Sequence, residues 1–593
     1  MEAAEAAREK EWRSASFLKE LFLGSFRLHL IHPFPPMEDR PEFADFYRRM
    51  KEFLETAVKP DEIDATGEYP KEVVDGLRAL GAFGMKIPKD YGGLGFTQAE
   101  YDSVMKLLGS RDANVTALLS AHQSIGVPQP LKLFGNDEQK KKYLPRLAAG
   151  AVSAFALTEQ NVGSDPASMQ TTVSRTPEGD YLLNGEKLWC TNGTFAEIIV
   201  VMARHAEGKK LSAFVVETAW PGVAVDHRCR FMGLKALGNA AMSFQNVRVP
   251  KENLIGAEGH GLKIALTTLN TGRLALPASS VGVAKTALAI TRRWANERVQ
   301  WGHPIGRHEA IAHRIADMAS HVYAMEAVSD LGSRLAGHGT DVRLEAAAAK
   351  EFNTVHGWRI LDEAMQIRGG RGYETEQSLA ARGEPPIPIE RLMRDFRINL
   401  LFEGSSEIMH LFMAREAVDR HLQVAGAMID PKAGFGGRLK ALPKIAGFYA
   451  WWYPSRWLGW GLWPRYAGFG RLATHLRFAA RNCRRLARET FHGMMAFRAR
   501  MQRKQGFLFR VVDIGLDLYA TTAAVVKARA DATSEASELA DMFCRTARRR
   551  VRQRFHDLWH NDDARKVDFA RGVLDGRYAG VEKGTVDPPW LKP

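Results

Sequence analysis

The stretch LLFEGSSEIM, from Leu400 to Met409, holds a carboxylate in an unusual setting. Glu403 follows three apolar residues and precedes Gly404, and no basic residue lies within four positions on either side. A carboxylate in a dry, apolar pocket has a raised pKa and is a stronger base than one in water. The three apolar residues before it and the small residues after it indicate a carboxylate that is not an ordinary surface charge. The alternative for this carboxylate is a helix N-cap or a surface charge.

Two earlier stretches offer groups that suit a flat heteroaromatic ligand. FALTEQNVGSDPASMQTT (155–172) supplies short donors, namely Thr158, Ser164 and nearby backbone amides, for such a ring or for a pyrophosphate. LWCTNG places Trp189 beside Thr191, so an indole can stack on the ring while a hydroxyl bonds to its polar edge. Taken singly, the first is equally compatible with a plain loop, and a tryptophan is more often part of a core.

The elements that must position these residues follow a simple order. Residues 42–145 have helical apolar spacing, whereas 152–250 hold short β-rich runs such as EIIVVMAR and LSAFVVE. We expect turns at Asn184-Gly185 and Pro221-Gly222, and from about 258 the helical period returns. Six apolar residues then step by three or four and predict a bundle core: Ile311, Ile315, Met318, Val322, Met325 and Val328.

These patterns predict a mostly α fold with a central β domain, divided into six segments. The predicted segments are an N-terminal extension (1–41), a helical domain (42–151), a middle β domain (152–255), a helix bundle that carries Glu403 (256–425), a linker (426–445) and a basic helical C-terminal domain (446–593).

Composition and charge exclude some kinds of site and indicate one kind of partner. The four cysteines are scattered without a CxxC pair, so we expect neither a zinc site nor a disulfide framework, and no metal. The N-terminus does not read as a secretory signal, and no run of about 18 apolar residues predicts a transmembrane helix. Residues 430–593 hold 31 basic and 15 acidic residues, whereas 1–429 hold 51 and 53. The basic excess therefore lies in the C-terminal part, which predicts contact with an anionic partner.

Together the motifs resemble the acyl-CoA dehydrogenase family. The resemblance covers about residues 40–420, from LTEQNVGSD and NGEKLWCTNG through LNTGRLALPA, RVQWGHPIGRHEAI and QIRGGRGY to RLMRDFRINLLFEGSSEIM. It implies a helical N-terminal domain, a middle β-barrel-like domain and a four-helix bundle. SFLKELFLGSFRLHLIHPFP, SAHQSIG and the long C-terminal extension are most similar to the very-long-chain branch. Such enzymes remove two hydrogens from the α and β carbons of a fatty acyl-CoA in β-oxidation, using FAD.

The resemblance also implies roles for individual residues. Glu403 takes the α-proton, and the family's alternative base position is Gly272, which cannot act as a base. The implied substrate contacts are Ser164, Asn270, Arg273 and Gly404. The implied FAD contacts are Phe155, Leu157, Thr158, Ser164, Trp189, Thr191, Ser405 and Glu407, and across a dimer interface Arg298, Gln300, Trp301, Gln366, Gly369 and Gly370. Glu407 is an i+4 partner of Glu403 only if a helix has begun by then.

Three features depart from the family pattern. Gln160 stands where the family usually has proline, and Trp301 stands where it has phenylalanine, which puts the stacking geometry in question. The stretch 374–390 is longer than usual, and we expect either a bland surface loop or a reshaped entrance to the site.

The C-terminal region raises a separate question of partner. FYAWWYPSRWLGWGLWPRYAGFGRL (448–472) combines tryptophan, tyrosine and arginine, a composition typical of a membrane interface or of an aromatic core. We expect an anionic membrane surface to contact 446–593, and a cytoplasmic enzyme peripheral on the inner membrane face. The tryptophans favour lipid over nucleic acid. The alternatives are a nucleic-acid-binding protein or an assembly factor on the same fold. For the enzyme, the expected partners are a fatty acyl-CoA, an electron-transfer flavoprotein and a second copy of the chain.

Overall fold

The computed structural model describes residues 12, 14–429, 434–458 and 465–586, and its N-terminal part is helical. Pro41 begins the first long helix, whose apolar stripe is buried, and a capping box between Thr97 and Glu100 begins another. The helices are α1 (Phe17–Phe22), α2 (Pro41–Thr56), α3 (Pro60–Thr66), α4 (Lys71–Ala79), α5 (Gln98–Gly109), α6 (Ala113–Ser120), α7 (Pro128–Phe134) and α8 (Asp137–Ala148). A π-helical turn, Ala121–Ile125, follows α6 and lies beside the candidate site.

The middle part is an eight-stranded sheet. Its strands are β1 (Ser153–Ala156), β2 (Thr172–Arg175), β3 (Tyr181–Cys190), β4 (Ile198–His205), β5 (Leu211–Glu217), β6 (Val223–Arg228), β7 (Ala240–Val249) and β8 (Leu254–Ile255). The strand order is β6-β7-β3-β2-β4-β5-β8, and β1 pairs in parallel with β4. EIIVVMAR and LSAFVVE form the buried strands β4 and β5, as predicted.

One predicted turn in this domain is wrong. Asn184-Gly185 lies inside β3, at an irregularity in its pairing with β7. Gly185 has φ +139°, and a Cβ there would lie 2.6 Å from the Cα of Thr171. The glycine therefore serves a bulge and a close backbone approach rather than a hairpin turn.

A helix bundle follows, and Glu403 lies in one of the connections between its helices. The elements are α9 (Gly261–Gly272), α10 (Ala275–Glu297), β9 (Val299–Gln300), β10 (His303–Pro304), α11 (Glu309–Gly337), α12 (Arg343–Arg368), α13 (Gly370–Tyr373), α14 (Glu376–Ala381), α15 (Ile389–Phe396) and α16 (Ser406–Ile429). The predicted stripe lies on α11, where Met318, Val322 and Val328 are buried. Ile311 and Ile315 are partly buried against the same core.

One stretch of the described chain is long and apolar enough to cross a membrane. Gly261–Glu297 spans α9 and α10, and its most apolar window has a mean hydropathy of 1.4, but 72% of that window is buried inside the protein. A core helix of a soluble protein passes the same test, so the finding is weak evidence for a span.

The C-terminal part is helical and shares its core with the bundle. It contains α17 (Phe435–Ser455), α18 (Ala473–Phe497), α19 (Gln505–Asp531), α20 (Ser534–Asp557) and α21 (Asp563–Leu574). Helix α19 is buried against α11 and α16, and one apolar cluster runs through all three. Polar contacts join the same elements, since Tyr323 donates to Asp531 at 2.8 Å and His410 lies 3.1 Å from Asp513.

The predicted linker at 426–445 is largely helical where the structure describes it. Residues 426–429 complete α16, and 435–445 form the first half of α17 with Pro443 inside it. Glycines and a proline suggested a flexible connection. The aromatic side chains of α17 that pack onto the protein, such as Trp452, stabilise a helix that local propensity disfavours.

The longer stretch 374–390 is folded and tied to the bundle. Arg371 forms an ion pair with Glu384 at 2.6 Å, Arg391 one with Glu376 at 2.6 Å, and Arg382 one with Glu374 at 2.7 Å. It is thus an ordered surface element, and its role at the site entrance stays a prediction.

Candidate active site

Glu403 lies in a short connection between α15 and α16, where the backbone is unusual. Glu403 has φ +54° and Gly404 has φ +99°, so two consecutive residues occupy the left-handed region. Glycine adopts this conformation freely, whereas glutamate does so at a cost and only where its surroundings hold it. The conformation is thus imposed by packing, as is common at active sites.

The carboxylate of Glu403 is enclosed by the protein. The residue as a whole is half-buried, but Oε2 is inaccessible to solvent and has no hydrogen-bond partner among the described residues. Desolvation raises the pKa of this carboxyl to about 7, although the nearby Arg273 and Lys350 cations lower it in part. A carboxyl with this pKa is poised to accept a proton near neutral pH.

The wall opposite the carboxylate is formed by α9 and the π-helical turn. A Cβ placed on Gly272 would lie 3.7 Å from Oε2 of Glu403, 3.4 Å from the carbonyl of Ser124 and 2.7 Å from a methyl group of Ile125. The two positions that the family resemblance names for a base therefore face the same point. Glycine at 272 leaves Glu403 as the carboxylate there.

Two buried cations hold the backbone of the base. Arg273 donates through Nε to the carbonyl of Glu403 at 3.4 Å and through Nη1 to Asn270 at 2.7 Å. Lys350, on α12, donates to the carbonyl of Gly404 at 2.6 Å. Burial lowers the pKa of Arg273 to about 10 and that of Lys350 to about 8. Arg273 and Asn270 thus lie at the reacting end of the site, and a contact with the CoA phosphates stays a prediction.

Lys350 was missed by the sequence reasoning. It lies in the run EAAAAKEF, where a single lysine in an alanine-rich helix is usually solvated. A weak signal was available, because the four alanines that precede it are typical of a buried helix. Only the packing of α12 against the start of α16 shows where the ammonium lies.

One expectation about the surroundings of Glu403 is wrong, and one condition is not met. Leu401 is 52% exposed, so it does not shield the carboxylate, while Leu400 packs on the core. Helix α16 begins at Ser406, after Glu403, so Glu407 does not share a helix face with the base. Hydrogen bonds from its own amide and from Ser405 lower the pKa of Glu407, as expected for an acidic residue in a first helical turn.

The first two predicted cofactor segments lie side by side in the sheet. The amide of Leu188 donates to the carbonyl of Thr158 at 2.9 Å, Lys187 reaches the carbonyl of Leu157 at 3.3 Å, and Cys190 lies 3.7 Å from that of Phe155. A buried ion pair of 2.7 Å between Lys187 and Glu159 fixes this junction.

Trp189 presents an open aromatic face at this junction. It is 56% exposed and has φ +55°, so the strand end holds a large apolar ring toward solvent. Thr191 donates to Asn239 at 3.2 Å, and Ser164 and Gln160 are exposed on the loop that follows β1. An indole face beside hydroxyl groups fits a flat heteroaromatic ring such as a flavin.

The other predicted cofactor segments meet on a second surface through Trp294. Its Nε1 donates to the carbonyl of Ile367 at 3.2 Å, and the guanidinium groups of Arg298 and Arg368 lie 5.9 and 4.9 Å from its ring. Trp301, at the tip of the β9–β10 hairpin beside Gln300, is 90% exposed.

The same surface has open backbone beyond Gln366. Gly369 has φ +62°, and a Cβ on Gly369 or Gly370 would meet no atom within 4 Å. Exposed backbone, guanidinium groups and an exposed indole together suit an anionic aromatic ligand.

Comparison with known proteins agrees with this geometry. Family models match in chain order: acyl-CoA dehydrogenase N-terminal domain at residues 40–151, middle domain at 154–247 and C-terminal domain at 259–418. The chain is 51% identical to the probable acyl-CoA dehydrogenase FadE10 of Mycobacterium tuberculosis, over 99% of this chain and 93% of that protein. It is 32% identical to the human mitochondrial very long-chain specific acyl-CoA dehydrogenase, over 97% of this chain and 88% of that protein.

A solved structure extends the likeness to nearly the whole fold. The acyl-CoA dehydrogenase of Bacillus anthracis, complexed with FAD, is 28% identical with a TM-score of 0.76, and the match covers 92% of each chain. The predicted fold and the resemblance to the very-long-chain branch are confirmed. The chain belongs to the acyl-CoA dehydrogenase family.

Proposed function

We propose that the protein is an FAD-dependent dehydrogenase of long-chain fatty acyl-CoA thioesters. It forms trans-2-enoyl-CoA in fatty acid β-oxidation, with Glu403 as the catalytic base. The enclosed carboxylate of Glu403, whose pKa desolvation raises to about 7, carries this proposal. Its place beside Gly272, with no second carboxylate at that position, supports a single base.

The residues present fit FAD. Trp189 offers an open aromatic face at the junction of β1 and β3, and Thr158 and Thr191 lie at the same strand ends. Ser405 precedes the N-terminus of α16, where helix amides favour negative charge. Bound FAD supplies the oxidation by accepting the β-hydrogen of the substrate as a hydride.

The chain's own residues perform the proton transfer. Glu403 removes the α-proton, so the α-carbon–hydrogen bond breaks and the proton moves to a carboxylate oxygen. The amide of Gly404 donates to the thioester oxygen and stabilises the negative charge that develops there. Arg273 and Lys350 hold the carbonyls of Glu403 and Gly404, so the peptide between base and amide keeps its orientation.

The direct test is a series of acyl-CoA thioesters from short to very long chains. We expect the purified protein to be yellow and long-chain acyl-CoA to bleach it without oxygen, because the substrate reduces the flavin. Turnover is then measured with a dye acceptor and with oxygen. Preference for the dye supports an electron-transfer flavoprotein as the physiological acceptor, whereas a colourless protein that no acyl-CoA changes would contradict the enzyme.

We also propose that the enzyme is a homodimer that shares its cofactor across the interface. The exposed Trp301 and the open backbone at Gly369 and Gly370 support this, since they offer an aromatic and an anion-binding surface that no other described residue covers. In this proposal Arg298 and Gln366 are the residues of this surface that contact the cofactor of the partner subunit.

We propose that α17 attaches the enzyme to the inner, anionic face of a membrane from the cytoplasm. Residues 434–458 contain four basic and no acidic residues. Leu439 is 56% exposed and Trp451 is 74% exposed, so apolar side chains and lysines share the outer surface of one helix. The aromatic cluster is divided, however, because Trp452 is buried and donates to the carbonyl of Leu23 at 3.1 Å.

Vesicle binding should then contain a part that resists salt and a part that does not. Each Lys or Arg near anionic lipid contributes about 1 kcal/mol, which salt screens, while apolar insertion is insensitive to salt. The triple variant Leu439→Ala, Leu442→Ala and Trp451→Ala should lose the salt-resistant part in co-sedimentation with anionic vesicles and keep its activity on soluble substrates.

Leu574→Ala is the matched control, since Leu574 is 86% exposed but lies on α21. Trp457 is shielded in part by Arg488, whose guanidinium lies 3.7 Å from its ring, and Trp460 and Trp463 lie outside the described residues. No binding to vesicles together with a salt-sensitive shift of duplex DNA would support the nucleic-acid alternative instead.

A further inference from the structure

Lys350 is a buried lysine in the interior of α12. Its side chain has no solvent exposure, and its ammonium donates to the carbonyl of Gly404 at 2.6 Å. Within the described part of the chain no carboxylate lies within 4.0 Å of it. A fully buried lysine is rarely found without such a pair, so burial here requires a compensating role.

The group that it holds is the strained peptide of the base. Glu403 and Gly404 both have positive φ, a conformation that persists only where neighbours fix it. The contact from Lys350 to the carbonyl of Gly404 is short, whereas the contact from Arg273 to the carbonyl of Glu403 is longer, at 3.4 Å. Lys350 therefore makes the stronger of the two contacts that orient this segment.

We infer that Lys350 is a positioning residue for the dehydrogenation. Its ammonium fixes the Gly404 carbonyl, and thereby the direction of both the Glu403 carboxylate and the Gly404 amide. The inference rests on the proposed role of Glu403. Lys350 touches neither substrate nor cofactor in this account, so it acts through the residues that do.

Charge gives Lys350 a second effect on the same base. The charged groups that act on the ammonium are Glu351, Glu403, Arg273 and Glu407. Those that act on the Glu403 carboxyl are Arg273 and Lys350, and both lower its pKa. Removing the ammonium should therefore raise the pKa of Glu403, so that the carboxylate forms only at higher pH.

The test compares two neutral variants with a charged one. In Lys350→Met, which removes the donor to the Gly404 carbonyl, we expect kcat to fall about 10- to 100-fold because the base is misplaced, and in Lys350→Gln, which keeps a shorter donor, we expect kcat to fall less. The KM for acyl-CoA should change little, and the acidic limb of kcat/KM should move up by roughly one pH unit. Lys350→Arg keeps the charge and should restore the limb and part of kcat.

Controls separate this inference from folding and from the proposed function. Lys106→Met removes another lysine of low exposure, which pairs with Asp330 at 2.7 Å, and should lower thermal stability without moving the pH limb. Lys350→Gln retains a donor for the Gly404 carbonyl, so the pH limb of its kcat/KM tests the inference if Lys350→Met does not fold.

An unshifted limb with unchanged kcat in the neutral variants would overturn the inference if Glu403→Gln is inactive. An active Glu403→Gln would instead refute the proposed base, and the two failures are thus distinguishable.

Discussion

Replacing Glu403 by glutamine is expected to abolish turnover while the protein still binds FAD and acyl-CoA. Glutamine keeps the size of the side chain but cannot accept the α-proton. General-base catalysis typically contributes about 10²- to 10⁴-fold, and Gly272 provides no second carboxylate. The proposed flavin contacts at Thr158, Trp189 and Thr191 lie at the ends of strands of the sheet and should not change.

The measurement combines steady-state turnover with the flavin spectrum on titration with acyl-CoA. A spectral shift without bleaching would show that substrate binds but does not react. Glu374→Gln is the matched control, because Glu374 lies in the longer stretch 374–390 and pairs with Arg382 at 2.7 Å. Retention of more than a tenth of the wild-type rate by Glu403→Gln would contradict the assignment.

The unusual setting of Glu403 could be predicted from sequence because it is local, whereas its role as a base is implied by the family resemblance. Apolar residues before Glu403 and small ones after it indicate a carboxylate that is not a surface charge. The absence of a second base at position 272 could be predicted as well, because glycine has no side chain whatever its surroundings. In the structure a Cβ placed on Gly272 would lie 3.7 Å from Oε2 of Glu403, and no local pattern contains this proximity.

Lys350 could not be assigned because its role depends on which elements pack together. In sequence it is 53 positions from Glu403, in a helix whose alanines give no directional pattern. Helix α17 was misjudged for a related reason, since glycines and Pro443 lower helix propensity while packing of Trp452 stabilises the helix. Tertiary contacts decide both cases, and single-sequence patterns do not report them.

The structure of the longer stretch 374–390 also depends on tertiary contacts that the sequence does not reveal. Its prolines suggested an irregular loop, yet ion pairs of Arg371 with Glu384 and of Arg391 with Glu376 hold it to the bundle. In these two pairs the partners lie 13 and 15 residues apart in the sequence, too far for helical spacing to identify them. Charge content was visible in the sequence, but pairing was not.

The pH dependence of kcat/KM should report Glu403 directly in the FAD-loaded enzyme free of substrate. Desolvation raises the pKa of this carboxyl from 4.5 to about 7. Only the carboxylate accepts a proton, so kcat/KM should fall about tenfold per pH unit below pH 7 and level off above it. Lys350 and Arg273, whose pKa values lie at about 8 and about 10, stay protonated over that limb.

The same shift has the opposite effect on stability. Because folding raises this pKa, the folded state binds the proton more tightly than the unfolded state does. The resulting stability is fully present below pH 4.5 and is lost as the pH rises through about 7. Glu403→Gln should therefore melt at a higher temperature than wild type at pH 8, and the difference should vanish at pH 4.5. An acidic limb at pH 4.5 together with equal melting temperatures at pH 8 would mean that the Glu403 carboxylate is solvated. Only burial makes the ionised form of this side chain, which is the form that accepts the proton, destabilise the folded protein.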